Sequence, residues 1–255
     1  MSLQACADIV AKGDPDRFAA AMAAPVAARK VLFAIYAFNV EVTRAAWVAS
    51  EPMIGEMRLQ WWRDVLDEIA QGGAVRSHEV ATPLAQVLDA EAAQALDTLV
   101  QARRWDLYSE AFADADHFDD YISKTGGVLM WICARLLGAE LQAATKVTAL
   151  GRSAALARFL AAVPELEARG RIPLVDGRTD AVQSLCQKAL KALPPSGELK
   201  MAVRRSAHPA LLEGWQAYPL LSRAVQKPHL VGEGSLRLSE FEKRARLLQA
   251  SFFGI

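Results

Sequence analysis

The sequence predicts an all-α protein, on three observations. Alanine is abundant while β-branched residues are sparse in most segments, Gly and Pro cluster at a few points instead of recurring as strand turns would, and apolar residues repeat at steps of three and four. The 255 residues, 53% of them hydrophobic, supply material for a sizeable core. No internal repeat, low-complexity tail or linker divides them, so 1–255 reads as a single domain.

Asp14-Pro15 has the form of an N-cap and a first-turn proline, opening a helix over 17–24 that Pro25 stops. From 27 to 48, Val31, Leu32, Ile35, Phe38, Val42, Ala45 and Ala46 mark one long buried face. Glu51-Pro52 interrupts it. A third helix runs from Gly55 through Leu59, Trp62, Val65, Leu66 and Ile69 to Gly72-Gly73. Segments 83–89, 91–108 and 118–137 read the same way, and the Gly126-Gly127 pair in the last allows a close backbone approach or a kink. The next helix, 141–163, is expected to stop at Pro164. An extended stretch over 170–177 precedes a short helix over 180–192, and Pro194-Pro195-Ser196-Gly197 reads as an exposed loop. His208-Pro209 opens a helix through Trp215 and Leu220. Ser239 with Glu242 forms a capping-box pattern for a final basic helix ending at Gln249.

Composition excludes several function classes. Lys plus Arg and Asp plus Glu are both 29, so a nucleic-acid partner is not expected. Cys6, Cys133 and Cys186 are far apart and without CxxC spacing, which suits neither a disulfide framework nor a zinc site and points to a reducing compartment. The four histidines have no metal-ligand spacing, and there is no GxSxG elbow or Gly-rich phosphate loop. The first residues carry acids and no long apolar run, and no stretch reaches the ~18 to 20 uninterrupted apolar residues of a membrane span. A cytoplasmic protein, soluble or resting on a membrane surface, is the expectation.

Two blocks are more particular than alanine-rich helices. The run Ala28-Arg29-Lys30-Val31-Leu32-Phe33-Ala34-Ile35-Tyr36-Ala37-Phe38-Asn39 and the run Gly55-Glu56-Met57-Arg58-Leu59-Gln60-Trp61-Trp62-Arg63-Asp64-Val65-Leu66 are joined by Asp120-Tyr121 before Gly126-Gly127, by Arg169-Gly170-Arg171-Ile172-Pro173-Leu174 and by the basic helix from Phe241. Together they resemble the squalene/phytoene synthase family across nearly the whole chain. The resemblance implies a bundle of antiparallel helices around a central cavity, the isoprenoid synthase type. It also implies two aspartate-rich motifs on facing helices that hold magnesium against a prenyl diphosphate, because the leaving group's charge must be neutralised.

Carried over residue by residue, the first motif falls on Thr43, Arg44 and Trp47, and the second on Ala162 and Leu166 with Glu165 nearby. Aspartates are expected to be missing from both, so neither a metal nor another cofactor is expected. Phe38-Asn39-Val40-Glu41 and the run from Gly55 to Trp61 resemble instead the family's complex I assembly factor branch. The expectation is therefore a non-catalytic lipid-binding or assembly-type factor with a respiratory-complex partner. The alternative is a prenyltransferase joining two prenyl diphosphates head-to-head, for which Mg2+ would be required and Glu41 and Glu165 would form a reduced metal site. Candidates for a cavity or a prenyl or lipid-like ligand are Tyr36, Asn39, Glu41, Arg58, Trp62, Tyr121, Arg169 and Arg171. Arg58, Trp61, Trp62 and Arg63 read first as a packed aromatic pair with arginine stems beside it and second as a binding surface or cavity wall, and Arg169 and Arg171 equally as exposed loop residues or as an anion grip. The final helix, with Lys243, Arg244, Arg246, Leu247, Leu248, Phe252 and Phe253, suits an anionic membrane surface or a place on the bundle.

Overall fold

A computed structural model describes residues 3–48 and 51–254, the side chain of Phe253 excepted. Every regular element among the described residues is helical. The first two helices, α1 (Leu3–Gly13) and α2 (Pro15–Ala23), meet at Asp14, whose carboxylate accepts from Arg17 N and caps α2, with Pro15 in its first turn. The sequence had offered no helix before Asp14, because the buried face of α1 is only Cys6, Ala7 and Val10. The central α3 (Val26–Val48) is long and apolar enough to cross a membrane, yet it forms the core, with Leu32, Ile35 and Phe38 each fully buried at about 1.5–3 kcal/mol apiece.

Pro52 does not break α4 (Pro52–Ala70) but opens it, since a proline in the first turn has no amide hydrogen to leave unpaired. Gly72, at φ +67°, ends it in the left-handed region. The expected 83–89 helix is the shorter α5 (Ala81–Ala85), because Asp89 is taken as the N-cap of α6 (Ala90–Ala102), accepting from Ala92 N. Beyond Ala102 the chain tightens into a 3-10 segment, Arg103–Leu107.

The 118–137 segment divides into α7 (Ala115–Ile122), a π-helical turn (Ser123–Gly127) and α8 (Val128–Leu136). That turn packs against α9 (Ala144–Ala168), and close backbone approach is the purpose of the glycine pair. A Cβ on Gly126 would strike Ala155 Cβ and lie 2.8 Å from Gly151 O. Pro164 does not stop α9 but sits inside it. One missing hydrogen bond costs about 3 kcal/mol, less than is gained by keeping Leu156, Leu160 and Val163 in the core.

Residues 170–177 form a loop without strand pairing, leading to α10 (Thr179–Ala192). The Pro-Pro segment is exposed as expected, but it starts a helix, α11 (Ser196–Ala202), at Ser196. The helix from His208 is broken into α12 (His208–Leu211), a 3-10 turn (Leu212–Gly214) and α13 (Ala217–Gln226); α14 (His229–Gly232) follows. In α15 (Glu240–Phe253) the capping box is complete: Glu242 N donates to Ser239 Oγ at 3.2 Å and Ser239 N to Glu242 Oε2 at 2.8 Å. Of its basic residues Lys243 pairs with Asp16, and Leu247 packs on the core, so this helix does sit on the bundle. One contiguous apolar cluster runs from Cys6 to Ala250.

Candidate functional site

Between α3 and α9 the bundle holds a cavity of about 810 Å³. The last turns of α3 supply Asn39, Val40, Thr43, Arg44, Trp47 and Val48, while α9 supplies Ala155, Arg158, Phe159, Ala162 and Leu166. Its remaining wall comes from Asp14 and Arg17, the 103–109 segment, Tyr121, Ile122 and Thr125, and from Arg169 and Arg171. Residues four apart share a helical face, which is why 39, 43 and 47 open on the same space.

Six arginines and two aspartates line it, and both aspartates are engaged. Arg17, buried at 7% exposure, donates to Asp14 Oδ2 at 2.6 Å and to Glu213 Oε1 at 2.7 Å. Arg158 donates to the same Glu213 oxygen and to its backbone carbonyl. Burial opposes the charge on Arg17, but Glu213 and Asp14 outweigh it and hold its pKa above the usual range. For Arg158, burial and the adjacent Arg17 charge prevail over Glu213 and Asp14 and pull the value down. Burial also raises Asp14, yet Arg17 and Arg158 more than reverse that and leave its carboxyl below the ordinary value. Tyr36 lies wholly buried beside this network, its hydroxyl unpartnered and pushed well up, first by burial and then by Glu213.

On the other side, Arg103 donates to Asp106 at 3.0 Å and to Tyr121 Oη at 2.7 Å, and Tyr121 donates to Asp106 at 2.8 Å. Arg171 donates to the carbonyls of Asp106 (2.5 Å) and Trp105 (2.6 Å) and lies 4.4 Å over the Trp105 ring. It has no carboxylate partner among the described residues. Nearer the mouth, the Arg169 guanidinium stacks 3.8 Å from the centroid of Trp47, and Arg44 pairs outward with Glu41 at 3.0 Å.

A profile of the family described as squalene/phytoene synthase matches residues 10–237. The chain belongs to the squalene/phytoene synthase family. Its fold matches a dehydrosqualene synthase solved in complex with ligand, with a TM-score of 0.80 at 16% identity over 98% of this chain and 95% of that one. It also matches squalene synthase HpnC from Alicyclobacillus acidocaldarius, with a TM-score of 0.60 at 16% identity over 99% and 94%. At those identities the likeness establishes the isoprenoid synthase fold. Among curated proteins, NADH dehydrogenase (ubiquinone) complex I, assembly factor 6 from Bos taurus is 25% identical over 180 residues, 66% of this chain and 51% of that protein. Its Drosophila melanogaster homolog is 27% identical over 177 residues, 67% and 53%. The chain spans about half the length of the curated relatives it matches.

Of the residues singled out from the sequence, Thr43, Arg44, Trp47, Ala162, Leu166, Asn39, Tyr121, Arg169 and Arg171 line this family cavity. Tyr36, Glu41, Arg58, Trp62 and Glu165 do not. Tyr36 turns into the core, and Trp62 packs edge-on against Phe38 and Trp61, so the aromatic pair is structural. Arg58 is solvent-exposed, while Glu41 and Glu165 pair with Arg44 and Arg169. Sequence reading missed Arg17, Arg103 and Arg158. Asp14/Arg17 and Arg103/Asp106 were visible as helical i,i+3 pairs, but Glu213, which joins Arg17 to Arg158, has no local signature.

Magnesium requires oxygen donors. The positions facing each other here offer a hydroxyl, a guanidinium, an indole, a methyl and an isobutyl group, which are not such a set. No group of three or more His, Cys, Asp or Glu among the described residues is placed to hold a metal ion.

Proposed function

We propose that this family member is a binding protein rather than a synthase: its cavity takes a prenyl or other lipid-like anion directly on arginine, without magnesium, and the protein serves as an assembly-type factor for a respiratory membrane complex. The observation that carries the reading is the Arg169–Trp47 stack, with Arg44 beside it, in the space between α3 and α9 where a metal-dependent synthase needs carboxylates. A cation and an indole in that place repel and exclude a divalent ion. The aspartates of both motifs are, on this reading, lost. The likeness to complex I assembly factors supports the respiratory partner, and a reducing bacterial cytoplasm beside the inner membrane suits the three buried, free thiols.

Arginine forks match phosphate bidentately, and the apolar wall of Phe159, Ile122 and Leu166 suits a hydrocarbon chain. Purified protein incubated with farnesyl and geranylgeranyl diphosphate, with magnesium or with chelator, tests the reading. Expected is a raised melting temperature that chelator leaves unchanged, with no diphosphate release and no hydrocarbon product. The alternative, head-to-head prenyl transfer, draws on the cavity's size and predicts magnesium-dependent release that Glu41→Gln or Glu165→Gln abolishes. That result overturns the proposal.

A further inference from the structure

A protein seldom leaves a buried polar atom without a partner, so the unused hydrogen-bonding groups of a cavity describe what an occupant must supply. Between α3 and α9 the charged groups are engaged with one another, with backbone or with a ring. Arg17 and Arg158 hold Glu213, Arg103 holds Asp106, Arg171 holds two carbonyls, Arg44 pairs with Glu41, and Arg169 lies on Trp47 beside Glu165. Two neutral side chains remain. Asn39, buried at 3% exposure, and Thr43 line the cavity and form no side-chain hydrogen bond among the described residues, with Asn39 Oδ1 and Thr43 Oγ1 both shut from solvent. The other buried, unpartnered atoms of the lining are the Nε of Arg17, Arg103 and Arg171, whose remaining nitrogens are taken. Ser109 is exposed. Asn39 and Thr43 can turn to the cavity at little cost, because a helical threonine divides between two χ1 rotamers and an amide torsion is broad. An amide and a hydroxyl that do not help to hold the wall are groups for a ligand.

We infer that the occupant is a hydroxylated lipid phosphate, in which a carbon bearing a free hydroxyl stands between the phosphate and the hydrocarbon chain, as in a lysophosphatidic acid. This narrows, and rests on, the reading of the cavity as an arginine-held site for a lipid anion. The ionised oxygens of a diphosphate only accept hydrogen bonds, which suits arginine and leaves Asn39 Oδ1 without a donor. A ligand hydroxyl donates to that amide oxygen and exchanges a hydrogen bond with Thr43. The order along the cavity agrees. Positions 47, 43 and 39 descend one face of α3 in steps of about 6 Å, four residues at ~1.5 Å each. Trp47 carries Arg169 and marks the level of the anion at the mouth. Thr43 and Asn39 follow inward, where the carbon next to a phosphate ester comes to lie. On the facing wall α9 runs from Arg169 at the mouth to Arg158 at the floor, so Phe159 lies deep, beside the hydrocarbon. A site that hydrogen-bonds a ligand hydroxyl rejects the analogue lacking it, because its own polar groups then stay unpaired.

Calorimetric titration of the full chain tests this with 1-lauroyl lysophosphatidic acid, dodecyl phosphate and glycerol 3-phosphate, each below any micelle-forming concentration and at about pH 8, where all three phosphates are ionised. Expected is a preference of about tenfold or more for the lysophosphatidic acid over dodecyl phosphate, with glycerol 3-phosphate far weaker for want of a chain. Thr43→Val and Asn39→Leu, each close in shape to the residue it replaces, should cut that preference to about threefold or less. The melting temperature of either unliganded variant should stay level or rise, because an unpaired polar group gives way to an apolar one. Equal affinity of the parent chain for the two chained phosphates, or a preference that survives in both variants, overturns the inference. Lowered melting temperatures with the preference intact make the pair structural and overturn it too, and glycerol 3-phosphate binding as tightly as the lipid removes the chain from it. Farnesyl diphosphate separates the two readings. If it binds and the preference is absent, this inference alone falls; if neither it nor any of the three phosphates binds, the lipid-anion site falls with it.

Discussion

The two ends of the cavity are both rich in arginine but use it differently. At the floor, Arg17 and Arg158 share Glu213, whose side chain is fully buried, and Asp14 completes the set. At the mouth, Arg44 and Arg169 pair with Glu41 and Glu165 in the open and Arg169 leans on Trp47. Charges withdrawn from water are held at great energetic risk, because removing one partner strands the others. Charges in water are nearly free to be removed. The floor is therefore read as architecture that shapes the cavity, and the mouth as the part available to ligands.

The sharpest way to break that contrast is Glu213→Leu. It leaves two guanidiniums facing Asp14 alone, and urea unfolding should show a loss of about 3–5 kcal/mol. A loss under about 1 kcal/mol would mean that water reaches the floor and that the two ends do not differ. Next in size is Gly126→Ala. The added methyl meets Ala155 and the carbonyl of Gly151, so it must displace α9, which carries both Arg158 and Ala162. Expected is a loss of about 1–3 kcal/mol, with weaker ligand-induced shifts in melting temperature because both walls move.

Acid titration reaches the floor through Asp14, beside the paired carboxylates Glu68, Asp89, Asp176 and Glu242 elsewhere, whose values are also lowered. Asp14's folded pKa lies below its unfolded value of about 3.9, so its contribution is fully present above that value and is lost as pH falls through the folded one. Stability should be flat through neutrality and fall below about pH 4, and Asp14→Asn should flatten part of that fall. The smallest expected effect is at the mouth. Arg169→Ala should change stability by less than about 1 kcal/mol while altering Trp47 fluorescence and reducing affinity for a prenyl anion. A large loss of stability there would make the stack structural and weaken the ligand reading.

Much of the cavity's α3 wall was legible, because a four-residue spacing puts Asn39, Thr43 and Trp47 on one face whatever surrounds the helix. The start of α4 was half legible. Met53, Ile54 and Met57 could be read as apolar, but not as exposed, since the same helix buries Leu59, Trp62 and Leu66. Trp62 and Arg58 stayed open to two readings, cavity wall or packed pair, for the same reason: periodicity says which residues share a face, not which face meets the cavity.

By itself the sequence determined that the chain is helical, most of the helices, the Asp14 and Ser239 caps that begin two of them, and the family. These rest on interactions within about four residues, where backbone geometry leaves little choice. Only the tertiary structure decided that Pro164 stays inside α9, that Glu213 reaches Arg17 across 196 residues of chain, and that Arg169 covers Trp47. Those depend on burial and on which helices lie side by side, and neither is a local property of the chain.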